Sequence, residues 1–279
     1  MAAGSRVCPS CRALNAADDA RCHRCAERLP GPWGTAAREL VGAVAGAGAP
    51  ATTLVVGFCL IVYLGMGVGD GSGLYRGGGL GAEALRWGAL MAGAVRVEPW
   101  RYLSAVFVHL GILHAAFNLL ALHRIGGGVE RAVGSARFLV AFGVTGVLGF
   151  VASDLWYGPR LFTAGASGAI FGLGGVRVGW LLVARDPAWK QAAIELTLYA
   201  VIATLLLPRV NDTAHVVGGL AGVGCGALFG RERRGPGRDR AARVLAAAVA
   251  LASVGSVLLA QRSPYWQVAR QAEIDRGLR

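Results

Sequence analysis

Residues 51–69 (ATTLVVGFCLIVYLGMGVG) hold no charged side chain. A helix of that length rises through about 30 Å, the thickness of the hydrocarbon core of a bilayer. Six more apolar runs of 17–22 residues, each with at most one charged side chain, lie at about 104–125, 136–153, 163–183, 191–207, 213–229 and 244–260. Backbone amides in lipid can pair only with one another, so each run is predicted to be a helix. Composition agrees: 54% of the 279 residues are hydrophobic and 16% are charged, against roughly 25% charged in soluble domains. The 43 glycines lie inside apolar runs without a collagen period, which suits close helix packing in a bilayer. The stretch 80–95 (LGAEALRWGALMAGAV) looks helical but has too many polar interruptions to span, and reads as interfacial.

The net charge of +12 comes almost entirely from arginine. With the N-terminus inside, the inner segments hold 17 Lys and Arg and the outer segments ten. This asymmetry predicts a cytoplasmic N-terminus and an outer C-terminus. Residues 1–35 are polar and show no signal peptide, which agrees with that placement. The basic stretch 231–243 (RERRGPGRDRAAR) reads as an inner loop between two spans rather than a nucleic-acid patch, so no nucleic-acid partner is expected. Arg177 and Glu195 stand inside spans, where they pair with each other or snorkel to an interface.

Four of the six cysteines cluster as Cys8-Pro-Ser-Cys11 and Cys22-His-Arg-Cys25. Two CxxC pairs suit a tetrahedral Zn²⁺ site, and four thiolates leave no open position, so a structural metal is expected there. Disulfides are the competing reading and are disfavoured in a reducing cytoplasm. His23 reads as a surface residue. Cys59 and Cys225 lie in apolar runs as small buried hydrophobes.

Three polar constellations interrupt the apolar runs. His109, His114 and Asn118 fall in the second run. His114 and Asn118 are four residues apart and share a helix face, so two donors one turn apart can aim at a developing oxyanion. His109 points elsewhere by its spacing, and reads as an interhelical hydrogen bond or a support. Gly165-Ala-Ser167-Gly168 opens the fourth predicted run at its outer end, and Asn211-Asp-Thr-Ala-His215 opens the sixth. Gly168, Gly172, Gly175 and Gly179 form one small-residue stripe; Gly218, Gly222 and Gly226 form another. Helices packed along these stripes would bring Ser167 and His215 to one depth. Either both residues are ordinary small-polar contacts, or His215 is the base that activates a Ser167 nucleophile. No carboxylate is well placed to orient His215, so the catalytic reading is a dyad. Inverted repeats or broken helices, the mark of many transporters, are not evident.

The ordered set His109…His114…Asn118, Gly165-x-Ser167-Gly168 and Ala214-His215-x-x-Gly218 resembles the rhomboid intramembrane proteases. Glu98-Pro99-Trp100-Arg101 resembles the Trp-Arg element of that family's first loop, and Gly134-Ser-Ala-Arg137 its motif opening the third span. The resemblance implies a six-helix membrane core with Ser167 as nucleophile, His215 as general base, and His114, Asn118 and the Ser167 amide as oxyanion hole. It gives Trp100 and Arg101 the anchoring of a loop partly in the bilayer. It further implies single-span transmembrane substrates and no catalytic cofactor. The seventh span resembles the six-plus-one layout of some members.

The expected organisation is an all-α polytopic membrane protein. A zinc-ribbon-like module occupies residues 1–30 and a linker 31–50; the membrane core covers 51–230, a basic loop and seventh helix 231–262, and a tail 263–279. A protein partner is expected for the module, and the Ala/Gly/Arg-rich composition suggests a bacterial inner membrane. The alternative function is an inactive relative that binds and escorts membrane helices.

Overall fold

The computed structural model describes residues 5–8, 11, 13–16, 19–27, 29, 46, 48–69, 71, 81–206, 210–232 and 235–277. The expected linker lies almost wholly outside them. The chain divides into two compact units, Met1–Gly48 and Ala49–Arg279.

In the first unit, β1 (Ser5–Val7) pairs antiparallel with β2 (Leu14–Ala16), with Arg6 opposite Asn15. A small core of Cys8, Cys22 and Leu29 lies beside this hairpin.

The second unit is helical. Its elements are α1 (Pro50–Gly69), the short α2 (Ala82–Trp87), β3 (Leu90–Met91), α3 (Ala92–Val95) and α4 (Arg101–Ser104). Next come α5 (Ile112–Ala121), a π-turn (Leu122–Gly126) and α6 (Gly127–Val133), then α7 (Ser135–Tyr157) and β4 (Phe162–Thr163). The chain continues through α8 (Ser167–Val183), α9 (Trp189–Leu206), α10 (Asp212–Arg231), α11 (Pro236–Ala260) and α12 (Tyr265–Asp275).

Among the described residues, α1, α7, α10 and α11 are long and apolar enough to cross a membrane. The segments Arg101–Phe107 and Ile112–Val133 pass the same test only when taken together, and they are bent by 91° at the break between them, the geometry of a broken span or of a re-entrant loop. The second apolar run is therefore not the single helix expected: Gly111, at φ 114°, starts α5 after a break. The fourth run is the shorter α8, of 17 residues. The fifth is α9, with Lys190, Gln191 and Glu195 in its first two turns. The basic stretch expected to be a loop is partly helical, because Pro236 opens α11, with Asp239 in its first turn. Residues 81–95, the described part of the segment expected to be interfacial, are broken into short pieces.

Three polar ties fix this bundle. Glu130 is buried and caps α1, accepting the Ala51 and Thr52 amides at 2.9 and 2.7 Å and the hydroxyls of Thr52 and Ser135. A carboxylate in that position satisfies amides that have no intrahelical partner and complements the helix dipole. Arg137 donates to Glu232 and Asp239, at 2.8 and 2.9 Å, joining α7 to the α10–α11 turn. The Arg137 guanidinium holds the Glu232 carboxyl below the ordinary carboxylate range. Arg101 is fully buried; it pairs with Glu98, donates to the carbonyls of Leu85 and Ala89, and donates to Ser263 Oγ. These contacts pin the segment before α4 and the turn after α11 to one guanidinium. Trp100 Nε1 is buried without a hydrogen-bond partner among the described residues.

Candidate active site and cysteine cluster

The glycine stripes meet. A Cβ added at Gly218, Gly222 or Gly226 would overlap the carbonyl oxygen of Gly168, Gly172 or Val176, and one at Gly175 or Gly179 that of Gly219 or Val223. At these positions no side chain separates α8 from α10, so the two backbones approach closely. The packing brings Ser167, the first residue of α8, onto His215, one turn into α10. Ser167 Oγ lies 2.8 Å from His215 Nε2.

His215 is held from several sides. Phe171, one turn after Ser167 on the same face, stacks on its imidazole with ring centroids 4.2 Å apart, and Tyr199 of α9 lies against Phe171. Asn211 caps α10 by accepting the Ala214 amide at 3.0 Å. It also reaches Ser153 Oγ of α7 at 2.9 Å and donates to Thr163 Oγ1 of β4. Asn211 therefore fixes the start of the helix that carries His215. Among the described residues His215 Nδ1 has no hydrogen-bond partner, and Asp212 reaches Thr204 instead.

The strand pair Leu90↔Thr163 and Met91↔Phe162, with the Gly165 amide donating to Ala105 O, seats the loop that precedes Ser167. Gly165 lies against His114: at φ 132° a Cβ there would come within 2.7 Å of Cε1 and Nε2. His114 Nδ1 accepts the Leu110 amide at 3.2 Å. The proton of a neutral imidazole must then sit on Nε2, the atom facing the loop. Asn118 is buried and donates from Nδ2 to His114 O, while its Oδ1 has no partner among the described residues. The first-turn amides of Ser167 and Gly168 have no intrahelical acceptor by position.

His109 lies in the break before α5, not on that helix. It is fully buried, donates from Nδ1 to Phe107 O at 3.2 Å, and presents Nε2 to the Ala166 amide at 3.5 Å. Its ring meets His114 edge-on, with centroids 5.3 Å apart. It braces both the serine loop and His114. Arg177 and Glu195 pair at 2.7 Å, on exposed side chains of α8 and α9.

Phe171, Tyr199, Asn211 and Glu130 have no role in the motif reading. Spacing could have found Phe171, since four residues after Ser167 is one helical turn. The Asn-Asp-Thr run is a cap signal for Asn211.

In the first unit the sulfurs of Cys8, Cys11, Cys22 and Cys25 all lie within 4.8 Å of one another. Cys8 and Cys25 are 3.6 Å apart, and Cys11 and Cys22 3.5 Å. Four thiolates at 2.3 Å from a tetrahedral ion stand roughly 3.8 Å apart, so the cluster can hold a metal ion. Burial works to raise the Cys22 thiol, but the amides of Cys25 and Arg24 and the neighbouring thiols outweigh it and draw the group down to about 6. A thiolate donor is favoured by the same amides. His23 stays outside the set, with Nδ1 2.9 Å from Asn15 Oδ1.

Residues 96–232 match the family model described as Rhomboid domain. The chain is 31% identical over 191 residues to "Rhomboid protease GluP" of Bacillus subtilis (strain 168), covering 63% of this chain and 37% of that protein. It is 30% identical over 129 residues to "Putative rhomboid protease YdcA" of the same organism, covering 45% and 65%. With "Rhomboid protease GlpG" of Salmonella typhi it shares 31% over 159 residues, covering 56% and 51%. The chain thus spans between about a third and two thirds of the length of these relatives. Residues 96–232 form a rhomboid domain.

Proposed function

We propose that the chain is an intramembrane serine endopeptidase that cuts single-span membrane proteins in or near their transmembrane helices. The observation that carries this reading is the 2.8 Å approach of Ser167 Oγ to His215 Nε2. A hydroxyl needs such a neighbour to become a nucleophile. Ser167 Oγ attacks the scissile carbonyl and His215 Nε2 takes its proton. The tetrahedral oxyanion is met by the His114 Nε2–H, Asn118 Nδ2 and the Ser167 amide. Collapse breaks the C–N bond, and His215 returns the proton to the leaving amine. Water then hydrolyses the acyl-enzyme by the same two proton transfers. Each oxyanion donor is worth roughly 10²–10³ in rate.

His109 and Gly165 support His114, Gly168 admits α10, and Arg101 holds the loop that flanks the site. Phe171 takes the place of a carboxylate in holding the imidazole: it orients the ring by stacking and leaves Nδ1 without an acceptor. A substrate helix must unwind to expose its peptide bond, so small or helix-breaking residues near the cut favour cleavage. No cofactor enters this chemistry.

The remaining assignments follow from charge and composition. The six helices of the core and α11 span a bacterial inner membrane, with the N-terminus cytoplasmic. The organisation is a module at 1–30, a linker at 31–50, a core at 51–230, a basic segment and seventh helix at 231–262, and a tail at 263–279. The four cysteines hold a structural Zn²⁺, and the module contacts a protein partner.

The test is cleavage of a single-span substrate in liposomes by the full chain and by Ser167→Ala and His215→Ala. Cleavage by the parent and its loss in both variants is expected. Cleavage that survives both substitutions removes the dyad, and a parent that binds the substrate without cutting it favours an escort role.

A further inference from the structure

A cavity of about 460 Å³ opens at the far end of α10 from His215. Arg231 follows His215 by 16 positions, which places the cavity roughly 24 Å from the catalytic histidine along the helix axis. It is bounded by α7, α10 and α11. Leu228, Phe229 and Leu245 give it apolar walls, and Arg231, Glu232 and Arg238 line it as well.

The charges there are unequally matched. Arg137 is buried and takes both nearby carboxylates, Glu232 and Asp239. Arg231 has no hydrogen bond or ion pair among the described residues, and Arg238 acts on Glu232 only through space. Two exposed guanidiniums therefore border a pocket whose other lining is Arg137 and Glu232, paired with each other, and apolar side chains. A free anion would use the charge and leave the walls wet. A hydrocarbon chain alone would leave the guanidiniums without a counter-charge. An anionic phospholipid uses both: guanidinium groups grip phosphate by paired N–H donors, and basic pockets between helix ends at the cytoplasmic face suit acidic headgroups.

We propose that this cavity binds an anionic phospholipid, with the headgroup phosphate on Arg231 and Arg238 and an acyl chain along Leu228, Phe229 and Leu245. The site rests on the reading that these helices span the membrane with their basic ends at the interface, and is independent of the catalytic dyad. Because α11 forms one wall, a lipid seated there ties the last spanning helix to the core.

The test uses the purified full chain in mild detergent, titrated with dioleoyl phosphatidylglycerol or dioleoyl phosphatidylcholine. Binding is read by native mass spectrometry and by the shift in thermal unfolding. Phosphatidylglycerol should remain bound and raise the unfolding temperature, and phosphatidylcholine should do neither. Arg231→Gln or Arg238→Gln alone should weaken phosphatidylglycerol binding about fivefold, and the pair about thirtyfold. Arg270→Gln in α12 removes the same charge elsewhere and should leave binding unchanged. Equal binding of the two lipids by the parent chain, or full binding by the double variant, overturns the proposal. An equal loss in Arg270→Gln also overturns it, because the effect is then one of net charge.

Discussion

Gly222→Ala tests whether the seam between α8 and α10 sets the catalytic geometry. The added Cβ would overlap the Gly172 carbonyl oxygen. Close-packed backbones cannot absorb that, so the helices must part by more than ~1 Å at this level. Overpacking of this kind costs about 1–3 kcal/mol of stability. Gly222 lies two turns from His215 on the same face of α10, so the parting stretches the 2.8 Å contact between Ser167 and His215. A misplacement of about 1 Å in a reacting group costs roughly 10²-fold in rate. Gly224→Ala is the control, because a Cβ there meets nothing within 4 Å. Replacing glycine by alanine in a helix gains up to about 1 kcal/mol. The assay is liposome cleavage of a single-span substrate beside thermal unfolding in detergent. Gly222→Ala should lose about two orders of magnitude in cleavage while remaining folded at the assay temperature. Equal cleavage by the two alanine variants would refute the idea that backbone contact along the seam sets the dyad.

Three further outcomes follow. Arg101→Met leaves Glu98 buried without its partner and frees the Leu85 and Ala89 carbonyls, so thermal unfolding should show a loss of about 3–5 kcal/mol. Glu232 titrates below the ordinary carboxylate range because of Arg137; its contribution is present above the unfolded value, about 4.3, and is lost as pH falls through the folded value. Acid unfolding curves of Arg137→Gln should therefore be flatter than those of the parent chain. Metal analysis should find one zinc per chain, lost in the Cys8→Ser, Cys11→Ser double variant without loss of substrate cleavage in detergent.

Much of the site is legible because local spacing controls it. Ser167 and His215 each open an apolar helix, and the glycines behind them repeat with the helical turn, so the two stripes predict their own contact. The two CxxC pairs likewise announce a four-sulfur cluster. What is hidden depends on where a helix breaks or on partners distant in sequence. His109 and His114 read as residues of one helix on different faces, yet Gly111 ends that regularity and turns the two rings together. Arg101 reads as part of a short motif, but Ser263, 162 residues later, completes its hydrogen bonding. The segment after residue 262 reads as a tail. It contains α12, whose Glu273 accepts the Ala82 amide at 3.0 Å, with Gln261 accepting from Arg86 just before it. A single polar residue per turn gives no periodic signal, so these anchors emerge only in three dimensions.

The central claim is that His215 makes Ser167 a nucleophile. It is tested most directly by covalent labelling of the full chain with a fluorophosphonate, with the labelled peptide identified by mass spectrometry. The account predicts one labelled residue, Ser167, and labelling slowed by orders of magnitude in His215→Ala although the serine remains. Labelling at another residue, or at Ser167 with an unchanged rate in His215→Ala, would contradict it.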